Sequence, residues 1–257
     1  MGAIYFKGFL LILVVFTFLW IISVFLRNVS IVDLFWGMGF ILVDAWYFYA
    51  TETFGPRQLL LFMLVGFWGV RLSLYLAWRN IGNGEDFRYR EFRKNYGKNY
   101  WWISFFQTFL LQGILMWLIS STLWGVNRFQ ATNSLTTLDY IALLVWTIGF
   151  IFEVGGDYQL SKFKGDPSNK GKVLNTGFWR FTRHPNYFGD AAVWWGYGLF
   201  CISAGSYWFV FGSVLMTLLI IKVSGVALLE KTLKSNKPGY AEYVRRTNSF
   251  LPWFPKK

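Results

Sequence analysis

Long apolar runs, each closed by a short polar or basic stretch, set the pattern of this chain. Seven of them read as membrane helices, at 5–26, 31–50, 58–78, 103–126, 137–157, 187–205 and 206–228. A helix of about 20 apolar residues is enough to cross the hydrocarbon layer of a bilayer. The first run is longer than the roughly 7–15 apolar residues of a signal peptide, and no small-x-small cleavage site follows it, so it reads as a retained helix. The expectation is an all-α polytopic membrane protein, a bundle of seven transmembrane helices forming one domain over 1–257. The two long connections, 79–102 and 158–186, supply a polar cap on one side of it.

Composition agrees with that class. The chain is 55% hydrophobic and 22% aromatic with only 15% charged residues, and a soluble domain of 257 residues could not hide 15 Trp and 28 Phe. The net charge of +12 invites a nucleic-acid reading, but the distribution of the charge argues for membrane topology instead. Twenty of the 25 Lys and Arg fall in the first, third and fifth connections and the C-terminal tail, against Lys7, Arg57 and Arg128 on the opposite side. Basic connections stay in the cytoplasm. The N-terminus is therefore expected outside and the C-terminus in the cytoplasm, with no nucleic-acid partner. Cys201 is the only cysteine and His184 the only histidine, which excludes an intrachain disulfide and a Cys or His metal cluster.

Ionisable groups inside spans are costly and usually face a cavity or the bundle interior. Here they are Asp33, Asp44, Arg71, Glu153, Asp157, Asp190, Lys222 and, at the last helix end, Glu230. Traced from the assigned topology, most converge on the cytoplasmic half; Asp44 alone falls in the outer half and reads as structural. Snorkelling to the interface is the competing account for Asp157, Asp190 and Lys222. Arg71, Tyr75 and Arg79 are spaced at i, i+4 and i+8, one polar stripe down the third helix.

The densest chemistry is Arg180-Phe181-Thr182-Arg183-His184-Pro185-Asn186-Tyr187-Phe188-Gly189-Asp190 at the mouth of the sixth run. Pro185 disfavours helix before it and suits a helix start, and Asn186 reads as the N-cap. The free N–H groups and positive dipole end of that helix would then face Arg180, Arg183 and His184, the makeup of an anion site. Gly82-Asn83-Gly84 in the third connection is a weak ligand signal and fits a solvated turn equally well. In the tail, Tyr240 and Tyr243 stand beside Arg245 and Arg246. They fit either a flap folded back over a nucleotide or an amphipathic segment lying on anionic lipid.

Arg183 to Asp190, followed by Trp194-Trp195-Gly196, resembles the C-terminal signature of the steroid 5-alpha-reductase superfamily, most of all its bacterial branch of uncharacterised membrane proteins. The likeness extends to Glu153-Val154-Gly155-Gly156-Asp157-Tyr158 and the Tyr-rich, Pro-terminated tail, and more loosely to Asp33-Leu34-Phe35-Trp36-Gly37 and 71–90. It implies a seven-helix reductase, here in a bacterial inner membrane, with cytoplasmic loops capping a pocket for NADPH. Such an enzyme passes hydride to a carbon–carbon double bond conjugated to a carbonyl, in a lipid-like or steroid-like substrate entering from the bilayer. By residue match, Asp157, Asn186, Tyr187 and Asp190 would hold the cofactor, with Arg71 and Arg79 on the stripe and Lys164 and Lys172 near the phosphates. Arg183 and His184 would add charge, and Tyr240 and Tyr243 would cover the nucleotide. Steroid reductases carry a Gln-Glu pair on the second helix and a Tyr one turn before Arg71. This chain has Asp33 and Trp36 on that helix, and Trp68 in the tyrosine's place. Tyr75 and a protonated Asp33 are left as the catalytic candidates. The same motif also resembles isoprenylcysteine carboxyl methyltransferases, which bind S-adenosylmethionine. Those carry a Glu-Glu pair where this chain has Leu229-Glu230. A non-enzymatic lipid-binding protein is the third reading, and no metal is expected in any of the three.

Overall fold

The computed structural model describes residues 1–129, 133–224 and 239–256. Leu229 and Glu230, named above, and four of the tail lysines, Lys231, Lys234, Lys237 and Lys257, lie outside the described residues. Among those described there are helices, turns and loops and no strand. The chain divides into two compact units, Met1–Leu135 with Ala204–Phe209, and Thr136–Ser203 with Val210–Lys257.

In the first unit α1 (Gly2–Leu26), α2 (Ile31–Thr51) and α3 (Pro56–Asn80) are joined by short turns. The buried positions of α1, Gly8, Ile12, Phe16, Leu19 and Ser23, recur every three or four residues, while Phe6, Val14 and Phe18 are exposed. A helix apolar all round with only one packed stripe suits a lipid surrounding. α2 and α3 meet where Gly37 faces Gly69, and a Cβ added to Gly69 would lie 2.6 Å from the Gly37 carbonyl oxygen. Small residues let helix backbones approach closely in this way. The fully buried Asp44 accepts a bond of 2.9 Å from Asn127 Nδ2, a structural pairing inside this unit.

The run Phe87–Asn127 is 41 residues of nearly continuous helix. It contains α4 (Phe87–Tyr96), α5 (Tyr100–Ser104), a π-helical turn at Phe105–Leu110, α6 (Leu111–Ile119) and α7 (Ser121–Asn127). Gly97, at φ 54°, allows the break after α4.

The second unit is built on α8 (Thr137–Gly165) and α9 (Pro185–Ser203), which run antiparallel, followed by α10 (Phe211–Leu218) and, after the tail turn, α11 (Tyr240–Arg246). Thr136 and Asp139 cap α8 reciprocally. Glycines spaced seven apart on both helices, Gly149 and Gly156 against Gly189 and Gly196, form the contact: a Cβ on Gly149 would lie 2.7 Å from the Gly189 carbonyl oxygen.

Among the described residues, five helical stretches are long and apolar enough to cross a membrane: Gly2–Leu26, Ile31–Thr51, Pro56–Asn80, Phe87–Asn127 and Thr137–Gly165. Sequence reading expects two more. The sixth is present as α9, but the glycines, Asn186 and Asp190 that make its contact and its site dilute its hydropathy. The seventh is described only as the shorter apolar stretch Tyr207–Val223.

Candidate functional site

In the second unit the polar groups gather where the last turns of α8 face the first turn of α9. Glu153 and Asp157 lie one turn apart on α8, 3% and 5% exposed. Asn186 Nδ2 donates to Asp157 Oδ1 at 3.0 Å, next to the close approach of Gly156 to the Asn186 backbone. The other amide atom, Asn186 Oδ1, is buried and has no hydrogen-bond partner among the described residues. Sequence reading makes Asn186 the N-cap. The helix instead starts at Pro185, and the His184 carbonyl accepts its first bond, from the Phe188 N–H at 3.0 Å. Asn186 therefore sits inside the first turn, where its side chain is free to cross to α8 rather than fold back on its own backbone. The buried His184 ring stacks on Tyr187, and Asp190, half-buried, follows one turn after Asn186.

The tail folds back onto the segment before α9. Arg183, 7% exposed, donates from its guanidinium to the carbonyls of Val244 (3.2 Å) and Thr247, and its backbone N–H bonds Asn248 O at 2.9 Å. A cation on the last carbonyls of α11 is a favourable helix cap, so this guanidinium holds the tail in place. Tyr240 and Tyr243 are both buried and pack edge to face with ring centroids 6.0 Å apart. The Tyr243 hydroxyl donates to the Trp179 carbonyl, and burial pushes that phenol well above its ordinary pKa, so it stays a neutral donor. The Trp179 indole N–H reaches back to Gly156 O at 3.1 Å. Thr182 bonds Phe250 O at 2.8 Å and accepts from the His184 N–H at 3.3 Å. Lys164 and Lys172 are both exposed, as is Arg180.

Sequence reading passed over Trp179, Thr182 and Gln159, although the first two stand within five residues of Arg183. Gln159 Oε1 accepts from the Phe178 N–H at 2.9 Å and fixes the approach to the motif. Their signal was positional only, since nothing in a Thr or Gln by itself announces such a brace.

The first unit holds its own constellation. Asp33 accepts from Arg88 (2.9 Å) and from the Tyr89 hydroxyl (2.7 Å), one donor on each carboxylate oxygen. Gln112 Nε2 donates to Tyr89 at 3.2 Å, and Trp36 Nε1 donates to Gln112 Oε1 at 2.6 Å, so the network ties α2, α4 and α6 together. The Gly82-Asn83-Gly84 turn leads into an acidic clamp. Glu85 takes two bonds from Arg93 and one from the Val29 N–H, all between 2.8 and 2.9 Å. Burial works to raise the neighbouring Asp86 carboxyl, but the Arg88 side-chain and backbone bonds prevail and hold it below the usual carboxylate range. On α3 the guanidinium carbons of Arg71 and Arg79 stand 5.1 and 5.7 Å from the Tyr75 ring centroid, so the stripe is a pair of cation–π contacts on one phenol. No group of three His, Cys, Asp or Glu able to hold a metal occurs among the described residues.

The sequence matches the family described as a protein of unknown function, DUF1295, over residues 19–247. It is also similar to an uncharacterised protein of Schizosaccharomyces pombe, 25% identical over 276 residues that cover 95% of this chain and 78% of the relative. No solved structure matches. A chain whose described residues are helical and strand-free, with five membrane-length apolar helices among them, and which that family matches over most of its length, is an integral membrane protein of the DUF1295 family, within the steroid 5-alpha-reductase-like group.

Proposed function

We propose that this protein is a membrane-embedded reductase that uses NADPH to saturate a carbon–carbon double bond conjugated to a carbonyl in a lipid-like substrate. In this reading α9 and the helix beginning at Phe211 complete a seven-crossing bundle whose long connections face the cytoplasm. The observation that carries the proposal is the Asp157–Asn186 pair, in a family of the steroid-reductase-like group. Asp157 engages the amide nitrogen, which leaves Asn186 Oδ1 as a buried acceptor in want of a donor. The carboxamide and ribose hydroxyls of a nicotinamide nucleotide offer such donors, and the exposed Lys164, Lys172 and Arg180 suit its phosphates. The residues fit the group.

NADPH, when bound, supplies the hydride. The chain's own part is to hold the nucleotide and to stabilise charge on the substrate. Reduction of an enone builds negative charge on its carbonyl oxygen, which calls for a fixed donor. Tyr75 is that donor in this proposal, with the Arg71 and Arg79 guanidiniums beside its ring favouring nearby negative charge. Each Asp33 oxygen accepts one bond, from Arg88 or Tyr89, and in this proposal the carboxylate acts by positioning α4 against α2.

The test is binding. Protein purified in mild detergent should enhance and blue-shift NADPH fluorescence on titration, and Asn186→Leu should abolish that change while the protein stays monodisperse. S-adenosylmethionine binding in place of NADPH would move the protein to the methyltransferase reading, and binding of neither would leave lipid binding alone.

A further inference from the structure

The tail of the second unit presents apolar side chains that the site does not use. Leu251, Trp253 and Phe254 are 65%, 69% and 74% exposed. They do not belong to a loose end. The Trp253 N–H bonds Phe181 O at 2.9 Å, the Lys256 N–H bonds Arg246 O at 2.8 Å, and the Phe254 ring packs on Phe181 with centroids 5.9 Å apart. A backbone fixed in this way cannot turn those side chains inward. Arg180, Arg245, Arg246 and Lys256 are exposed, Lys256 being bonded through its N–H to Arg246 O and Arg180 preceding the Phe181 that Trp253 bonds.

The height of this segment along α8 can be read from its attachments. The residues it is stitched to reach α8 through Trp179 Nε1 to Gly156 O and the Phe178 N–H to Gln159 Oε1. Both contacts lie within two turns of the basic end of that helix, Lys162 and Lys164. α8 is one of the five stretches long and apolar enough to cross a membrane. The exposed tail residues therefore emerge at the level where that helix leaves the hydrocarbon layer. Trp and Phe with flanking Arg and Lys are the residues suited to that level, the rings entering the headgroup layer and the cations facing anionic lipid.

We infer that Leu251–Phe254 is an interfacial anchor that inserts into the headgroup layer of the membrane the protein spans, with Arg180, Arg245, Arg246 and Lys256 against its anionic lipids. The anchor is tied to Phe181 by the Trp253 N–H, and the Thr182 hydroxyl donates to the carbonyl of Phe250 just before it, so docking to lipid braces the segment that leads into α9. The inference goes beyond the reductase proposal and holds whichever ligand that site takes.

Cys201 is the chain's only cysteine and is buried, so a Cys201→Ala background gives single labelling sites. An environment-sensitive dye is attached at Trp253→Cys and, separately, at Leu251→Cys, with Lys172→Cys as the water-exposed control. The full-length protein is placed in nanodiscs of phosphatidylcholine alone or mixed with phosphatidylglycerol. The expected result is blue-shifted emission at 251 and 253, quenched by headgroup-depth nitroxide lipids several-fold more than the control. Phosphatidylglycerol should strengthen that quenching, and salt should weaken it. Emission at both positions matching the control would overturn the inference. A blue shift that nitroxide lipids fail to quench would overturn it as well, since protein, whether its own or a second copy, would then cover the face. Because two positions are labelled, failure of one variant to fold leaves the other to decide.

Discussion

Asn186 Nδ2 and Asp157 Oδ1 lie 3.0 Å apart and join the first turn of α9 to the last turns of α8. The bond spans two helices whose backbones touch at Gly156, so the amide is held from both sides. In the proposed reading, the amide oriented by the carboxylate leaves its oxygen to accept from the nucleotide. Asn186→Ala and Asp190→Ala should each weaken NADPH binding. Loss of a hydrogen bond that leaves a buried ligand donor unpaired costs about 1–3 kcal/mol, roughly fivefold or more in dissociation constant. Fluorescence titration of folded variants checks this, and unchanged affinity in both would remove the assignment.

Asp33 and Arg88 should behave as a coupled pair. Arg88→Leu leaves the partly buried Asp33 without its counter-charge, Asp33→Leu leaves Arg88 with Asp86 alone, and the double variant should recover part of the loss. The coupling should fall between about 0.5 and 3 kcal/mol by thermal unfolding in detergent. Arg71→Leu should show no such rescue with Asp33→Leu, because the Asp33 oxygens are engaged by Arg88 and Tyr89.

The glycine contact between α8 and α9 should tolerate no side chain. Gly149→Val would drive a Cβ against both the Val193 nitrogen and the Gly189 carbonyl. Overpacking of this kind costs on the order of 1–3 kcal/mol or more, and here it acts on backbone that cannot move aside. The melting temperature should fall, while Gly66→Val, whose Cβ meets nothing within 4 Å, should leave it unchanged.

Asp86 sets a pH dependence. Its carboxyl lies below the usual range in the folded chain, so its contribution is present above the unfolded value of about 3.9 and fades as pH falls through the folded value. Asp86→Asn should therefore be less stable than the parent at neutral pH, and the gap should close in acid. A gap that widens on acidification would reverse the sign of this account.

Topology is checked independently of any ligand. A reporter fused after Lys257 and cysteine labels in 79–102 and 162–183 should all report the cytoplasm, because 20 of the 25 Lys and Arg fall on that side. Labelling of either long connection from outside intact cells would refute the orientation.

Much of this could be read before any coordinates. Apolar length alone locates α1, α2, α3 and α8, and the Arg183-to-Asp190 run marks the α8–α9 junction without any structure. What sequence could not yield depends on contacts distant in the chain. The Arg183 guanidinium reads as an anion ligand from its sequence neighbours, and its bonds to the Val244 and Thr247 carbonyls come from residues 61 and 64 positions further on. Asn186 reads as an N-cap because capping is local, whereas Asp157 lies 29 residues away. Glu85 sits in what looks like a solvated turn, and only the fold brings Val29 and Arg93 to it. The π-helical turn at Phe105–Leu110 has no Gly or Pro to announce it.

The glycine contact of α9 also bears on how the chain is made. Lipid rewards side-chain surface, and α9 gives up much of that surface to Gly189, Gly196 and Gly198. Such a helix has little reason to leave the translocation machinery by itself. α8 is synthesised first, is strongly apolar, and presents the backbone groove into which α9 fits. In the seven-crossing reading proposed above, the two are expected to enter the bilayer as a hairpin, with the connection 166–184 never crossing it. On that account the polar junction at Asp157 and Asn186 is assembled during insertion, before the tail that later clamps it has been translated.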